Sequence, residues 1–224
     1  MKIKILDERE SSVVRILLKN NELLIAQAGT LLAMRGDLTM NTTLRRSSAE
    51  DNPRNQGAIA TESLFLTEFR GVGHKNEVWL APGMMGNILV HQVTSYKLIA
   101  VASAYLACSG EMELFFGVPE VKLSQKNQTL TLLSITGKDQ VLLNGLGAIY
   151  SIDIDGEYWV KIEHLVAFEN SLKYEVTKLS TKGLGVWFQK KTLLIKFTGE
   201  GKLYCQTHQG KDWGHLIATQ LKSK

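Results

Sequence analysis

The sequence predicts an all-β protein in which three divergent copies of one unit form stacked sheets of short antiparallel strands. Three observations predict it. The apolar runs are only a few residues long, rich in Val, Ile, Leu, Tyr and Trp, and bounded by Gly, Asn and Asp. One pattern, an apolar run closed by a glycine and followed by a second apolar run, occurs three times. It reads 64–71 before Val78-Trp79-Leu80, 130–137 before Val141-Leu142-Leu143, and 193–201 before Leu203-Tyr204-Cys205. A second pattern, a strand with a small or polar break and then two apolar residues and an alanine, also occurs three times, at Ala33, Ala107 and Ala167. The two markers interleave with a period of roughly 60–75 residues, which is the signature of an internal repeat.

Each element follows in order. Lys2-Ile3-Lys4-Ile5 alternates as a strand with one face in water. Residues 13–18, 88–93 and 149–154 are alternating runs that each precede an alanine-marked strand. Lys19-Asn20-Asn21 and Asp153-Ile154-Asp155-Gly156 are expected hairpin turns, because Asn, Asp and Gly tolerate positive φ. Leu98-Ile99-Ala100-Val101-Ala102 is apolar throughout, as a strand buried on both faces would be. The polar stretch 41–57 is expected to be a loop. Trp213, Leu216, Ile217, Gln220 and Leu221 fall near helical spacing and predict a short C-terminal helix. The organisation expected is one pseudo-symmetric domain over 1–224, with units near 1–71, 72–137 and 138–201 and a terminal segment 202–224.

Composition narrows the function classes. With 44% apolar and 21% charged residues the chain has material for a full core. The apolar runs are all far shorter than the roughly 18 residues of a membrane helix. The early residues turn acidic without a continuous apolar region, which predicts a cytoplasmic protein. Cys108 and Cys205, each inside an apolar run, read as reduced, buried thiols. A net charge of +4 permits contact with polyanions without requiring it.

Chemistry is sparsely signalled. The histidines are His74, His91, His164, His208 and His215, and no two occupy alternate strand positions as a barrel metal site needs. There is no Gly-x-Ser-x-Gly elbow, and no glycine loop leads into a helix; Gly183-Leu184-Gly185 and Gly199-Glu200-Gly201 lie between strand-like runs. The expectation is therefore no enzyme, no cofactor and no metal. Glu163 and His164, with Glu169 nearby, form the one polar constellation that could serve as an acid–base pair; a structural histidine at a strand break is the simpler reading. Met84 and Met85, flanked by glycines, would offer flexible apolar area to a partner. Lys190 and Lys191 near Trp187-Phe188, and Lys202 near Tyr204, pair bases with aromatics as RNA binding on a sheet would. Trp79, Trp159, Trp187 and Trp213 are expected as core or subunit-interface anchors.

The chain resembles the family named for altered inheritance of mitochondria, in its bacterial branch. The resemblance is carried by Gln27-Ala28-Gly29-Thr30-Leu31, Glu62-Ser63-Leu64-Phe65, Ala81-Pro82-Gly83 with Gly86, and Ala104-Tyr105-Leu106-Ala107. His164-Leu165-Val166-Ala167-Phe168-Glu169 and Phe197-Thr198-Gly199-Glu200-Gly201 with Gln206 complete it. The resemblance implies a fold similar to the tryptophan RNA-binding attenuation protein and to the double-stranded β-helix, and self-assembly, with a trimer as the expected form. It brings no catalytic motif. Gly137-Lys138-Asp139-Gln140 lacks the second glycine usual there, and Glu163 stands where a small residue is common.

Together these readings predict a non-catalytic, oligomeric binding or scaffold protein. An RNA-binding module is the alternative by fold analogy, and a small-molecule-binding or metal-dependent barrel enzyme comes third.

Overall fold

The computed structural model describes residues 1–6, 11–45, 64–83, 85–115, 121–123, 128–178 and 193–210. In chain order the strands are β1 (Lys2–Leu6), β2 (Val13–Leu18), β3 (Leu23–Gln27), β4 (Leu31–Arg45), β5 (Leu64–Leu80) and β6 (Ile88–Gln92). Next come β7 (Leu98–Val101), β8 (Tyr105–Ser109), β9 (Glu113–Phe115), β10 (Val121–Leu123), β11 (Gln128–Leu130) and β12 (Leu132–Thr136). The last are β13 (Gln140–Asn144), β14 (Ile149–Lys161), β15 (Leu165–Glu169), β16 (Lys173–Lys178) and β17 (Leu193–Gln206). One sheet has eight strands in the order β1-β2-β5-β3-β8-β13-β6, with β4 also on β5. A second has seven, β14-β17-β15-β7-β12-β9, with β16 also on β17; β10 and β11 form a separate pair. The fold is all-β, as the sequence predicts. The expected C-terminal helix lies outside the described residues.

The two long strands β5 and β17 are built alike. One edge of β5 pairs with β4 along its length, while the other edge pairs with β3 over 66–70 and then with β2 over 76–80. One edge of β17 pairs with β14, and the other with β16 over 193–198 and then with β15 over 203–205. Gly71 and Gly199 fall at these changes of partner. They are not hairpin turns, as glycines closing apolar runs suggest, because the strand continues through them. Gly137 does separate two strands, and there the chain changes sheet: β12 pairs with β7 and β13 with β8.

Close approach calls for glycine at Gly71, and close approach together with a positive φ favours it at Gly137 and Gly199. A Cβ on Gly71 would collide with the Lys19 carbonyl oxygen in the β2–β3 turn. One on Gly137 would lie 2.6 Å from Met112 Sδ in the β8–β9 turn, and one on Gly199 would lie 3.3 Å from the Ser171 carbonyl in the β15–β16 turn. Each of those turns is closed by the same kind of bond: Glu22 N to Lys19 O, Met112 N to Ser109 O, and Leu172 N to Glu169 O.

Two sequence expectations are corrected by the strands. The Asp153-Ile154-Asp155-Gly156 stretch makes no hairpin; β14 continues through it, paired to β17 from Ile149 to Lys161. Gly156 sits opposite Gly199 in that ladder, so the positive φ of each bends the ribbon without breaking it. Residues 41–45 extend β4 rather than opening the polar loop, because the β5 edge offers them partners down to Leu64. The expected unit boundary at 71/72 falls inside β5, and that at 201/202 inside β17.

The breaks in the alanine-marked strands are 3-10 turns, Ala102–Ala104 between β7 and β8 and Ile162–His164 between β14 and β15. Residues 98–102 are all buried, as their unbroken apolar run predicts, and in the segment 98–109 Ser103 alone is exposed. That segment carries the chain from the seven-stranded to the eight-stranded sheet. Its Tyr105 ring is fully buried and its hydroxyl donates to Ile25 O at 2.7 Å. The main core extends from here to Phe168, which packs edge-to-face on Tyr174 and Phe197 at 5.2 and 5.0 Å. A second cluster, around Ile16, Leu24, Phe69 and Leu80, fills the other side of the eight-stranded sheet. No helix among the described residues is long and apolar enough to cross a membrane. Neither Cys108 nor Cys205 forms a disulfide among the described residues, and Cys108 Sγ accepts from the Tyr105 hydroxyl at 3.2 Å.

Candidate functional site

Where β6, at the edge of the eight-stranded sheet, meets β17 of the other sheet, a cavity of about 450 Å³ opens. Its polar lining is His91 and Gln92 of β6, Tyr96 of the following turn, Ser151 of β14, Glu169 at the end of β15, and Lys202 and Tyr204 of β17. Lys202 and Tyr204 are two residues apart, so the pleat of β17 turns both to one face.

His91 is buried and lies between two tyrosines. Its Nδ1 is 2.8 Å from the Tyr204 hydroxyl and its Nε2 is 2.7 Å from the Tyr96 hydroxyl. Tyr96 also donates to the Gln92 carbonyl at 3.1 Å, which can only accept. Tyr96 therefore accepts from His91 Nε2–H, which leaves Nδ1 to accept the Tyr204 proton. The result is a directed chain, from Tyr204 through His91 to Tyr96, whose proton faces both the Gln92 carbonyl and the Glu169 carboxylate. Both rings meet His91 edge-on, at centroid separations of 5.9 Å for Tyr96 and 5.2 Å for Tyr204.

Electrostatics agree with this assignment. Burial holds the His91 pKa below its ordinary value, with the nearby Lys202 charge acting the same way and the Glu169 charge opposing it. Burial, then the Tyr96, Glu169 and Asp153 charges, push Tyr204 up to about 12. Tyr96 is raised mainly by burial and next by Glu169. His91 is thus neutral with both nitrogens engaged, and as arranged it presents no free lone pair to a substrate.

The sequence-derived candidates fall in several places. Glu169 and Lys202 are brought together here: the Lys202 amide donates to Glu169 Oε2 at 3.0 Å, and Lys202 Nζ meets Asp153 Oδ1 at 2.9 Å. Tyr204 is only 5% exposed, so it cannot stack a base beside Lys202. Glu163 and His164 belong to a different network, at the 3-10 turn after β14. His164 Nδ1 donates to the Gln206 carbonyl at 2.7 Å, and its Nε2 accepts from Gln209, whose Oε1 takes a bond from Lys161 Nζ. Gln206 reaches back, accepting from Leu146 N and donating to the Glu163 carbonyl, both at 3.0 Å. His164 has amide partners, not a carboxylate one, and Glu163 Oε2 is buried with no partner. Met85 is exposed at the turn before β6. Met84, Trp187, Lys190, Lys191 and Trp213 lie outside the described residues.

Sequence reasoning weighed His91 and Tyr204 only for other roles and missed Tyr96 and the network that joins the three. His91 and Tyr204 are 113 residues apart, and no local spacing announces a bond made between two sheets. Among the described residues no three His, Cys, Asp or Glu side chains gather into a group that could hold a metal ion.

A family model described as mitochondrial biogenesis AIM24 matches residues 3–208. No curated protein sequence matches the chain. Among solved structures, a crystal structure of a protein from Streptococcus pyogenes is similar over 98% of this chain and 99% of that one. It has a TM-score of 0.76 and 20% sequence identity, a likeness of fold.

Proposed function

The chain belongs to the mitochondrial biogenesis AIM24 family, and from that premise we propose that it is a homo-oligomeric binding or scaffold protein that performs no chemistry of its own. The observation that carries the reading is the state of the two long edge strands. Among the described residues β4 pairs with β5 alone and β14 with β17 alone, so each leaves one flank of backbone groups open. Both strands also hold large apolar side chains in water: Leu32, Met34 and Met40 on β4, and Tyr150, Tyr158 and Trp159 on β14 are 41–59% exposed. Long, open, apolar edges are a template for another chain, and a monomer would ordinarily blunt them.

The occupant in this reading is a second and third copy of the same chain. Three similar units within one pseudo-symmetric domain belong to the same proposal. It is supported by the matched glycines on matched turns and by the like partnering of β5 and β17. A cytoplasmic setting is supported by the two cysteines, neither of which forms a disulfide among the described residues. The absence of catalysis is supported by the way His91 and His164 are both fully engaged by neutral partners. RNA binding draws no support from Lys202, whose ammonium is paired and whose neighbouring tyrosine is buried.

Light scattering on the purified chain at micromolar concentration tests the reading. A stable trimer is expected, reduced to monomer by Met40→Lys together with Trp159→Lys. A monomeric wild-type protein overturns it.

A further inference from the structure

On the opposite flank of the eight-stranded sheet lies a cavity of about 900 Å³ between β2, the β2–β3 turn, β4 and β5. It falls within the range of small-molecule sites, roughly 300–1,000 Å³. Its lining includes Lys2, Arg15, Lys19, Arg35, His74 and Lys75, and one carboxylate, Glu77. That carboxylate is occupied: Arg15 Nη2 meets Glu77 Oε2 at 2.7 Å, and Trp79 Nε1 donates to the other oxygen. Lys2, Lys19, Arg35 and Lys75 form no ion pair among the described residues. Arg35 and Lys19 attract Glu77 and Glu22 from beyond contact distance, yet the concavity still gathers more positive than negative charge and so attracts a multiply charged anion.

The cavity wall is built by an excursion of β5. The β4–β5 ladder steps from Arg35↔Glu77 to Asp37↔Val72, so Gly73-His74-Lys75-Asn76 leaves the ladder opposite Gly36 alone. Lys75 adopts φ +63° within it, a left-handed conformation disfavoured for any residue with a side chain. Gly73, at φ +78°, donates its amide to Asn20 Oδ1 at 2.9 Å, which pins the excursion to the β2–β3 turn. Asn76 is 1% exposed, yet its Oδ1 is buried with no partner, and so is Arg15 Nε. Both atoms lie beneath the cavity surface rather than on it; Asn76 is wedged against Gly36 and Gly71 and donates to the Gly73 carbonyl at 3.4 Å, which braces the excursion. Leu17 and Leu18 add apolar wall.

We propose that this cavity binds a small phosphorylated molecule, with Lys2, Lys19, Arg35 and Lys75 holding the phosphate oxygens. Arg35 supplies the planar fork suited to phosphate, and the lysines supply point charges.

Calorimetric titration of the full chain tests it, with inorganic pyrophosphate and adenosine monophosphate as probes. Saturable binding, one site per chain, is expected for both, weakened by added salt. Arg35→Gln and Lys75→Gly should each weaken pyrophosphate binding about tenfold. Lys75→Gly removes the charge where the backbone favours glycine, so its melting temperature should not fall. Three results overturn the proposal: no binding of either probe, binding unchanged in both variants, or binding confined to phosphatidylglycerol vesicles or single-stranded RNA.

Discussion

The Tyr204 hydroxyl lies 2.8 Å from His91 Nδ1 and joins a strand of one sheet to an edge strand of the other. Since both rings are buried, that bond is made in surroundings where a lost partner is not replaced by water. Tyr204→Phe should therefore destabilise the protein by about 1–3 kcal/mol. Urea unfolding monitored by tryptophan fluorescence would measure it, and a midpoint unchanged from wild type would refute the bond.

Acid should weaken the fold through His91. Its pKa is lowered in the folded protein, while the unfolded chain titrates near the ordinary value of about 6.5. Between the two values the unfolded state binds more protons, so stability rises with pH there. The contribution of His91 is complete above about pH 6.5 and shrinks as pH falls toward the depressed folded value. Unfolding free energies across this window should slope in the wild type and lose that part of the slope in His91→Gln. Equal slopes would remove His91 as the cause.

Gln206→Leu should cost more than its half-buried position suggests, about 1–3 kcal/mol. The substitution strands the Leu146 amide and the Glu163 carbonyl at once. Hydrogen exchange should show the amide of Leu146 losing protection; an unaltered rate there would argue against the two-sided anchor.

Gly86→Ala is expected to be among the worst small substitutions in the chain. Its Cβ would collide with the Gly145 carbonyl oxygen, beside the Gly86↔Gly147 bridge. Because the obstacle is backbone, relief requires strand movement, at a cost of about 1–3 kcal/mol. Thermal denaturation decides it, and an unshifted midpoint would show that the strands yield freely.

Cys205 should react slowly with thiol reagents at mildly alkaline pH. Burial pushes its thiol up to about 11, and the thiolate is the reacting species. Native protein should modify far more slowly than urea-unfolded protein; equal rates would contradict the burial.

Much of the architecture was legible because strand periodicity is local. Residues 13–18 form β2, and the small or polar breaks at Ser103-Ala104 and Glu163-His164 became the two 3-10 turns. Glycine was legible as a position but not as a device. The same residue type that would end a strand at Asp153-Ile154-Asp155-Gly156 instead bends one, because β17 supplies a partner on both sides of the bend. A single strand's sequence does not reveal what lies beside it. The candidate sites show the same limit more sharply. Glu169 and Lys202 could be singled out, but His91 and Tyr204 become neighbours only when two sheets are laid edge to edge. The cationic cavity joins Lys2, Arg35 and Lys75, which no spacing along the chain connects.

The segment from Leu98 to Ser109 serves both sheets, and so do the strands on either side of Gly137. A chain laid out this way has no tear line. Peeling either sheet away would pull β7 or β8, β12 or β13, out of the other, so partial melting of one sheet deprives the second of its central neighbours. Proteolysis and thermal loss of the two sheets should consequently share one midpoint, and the molecule should fail as a whole where its edges fray first.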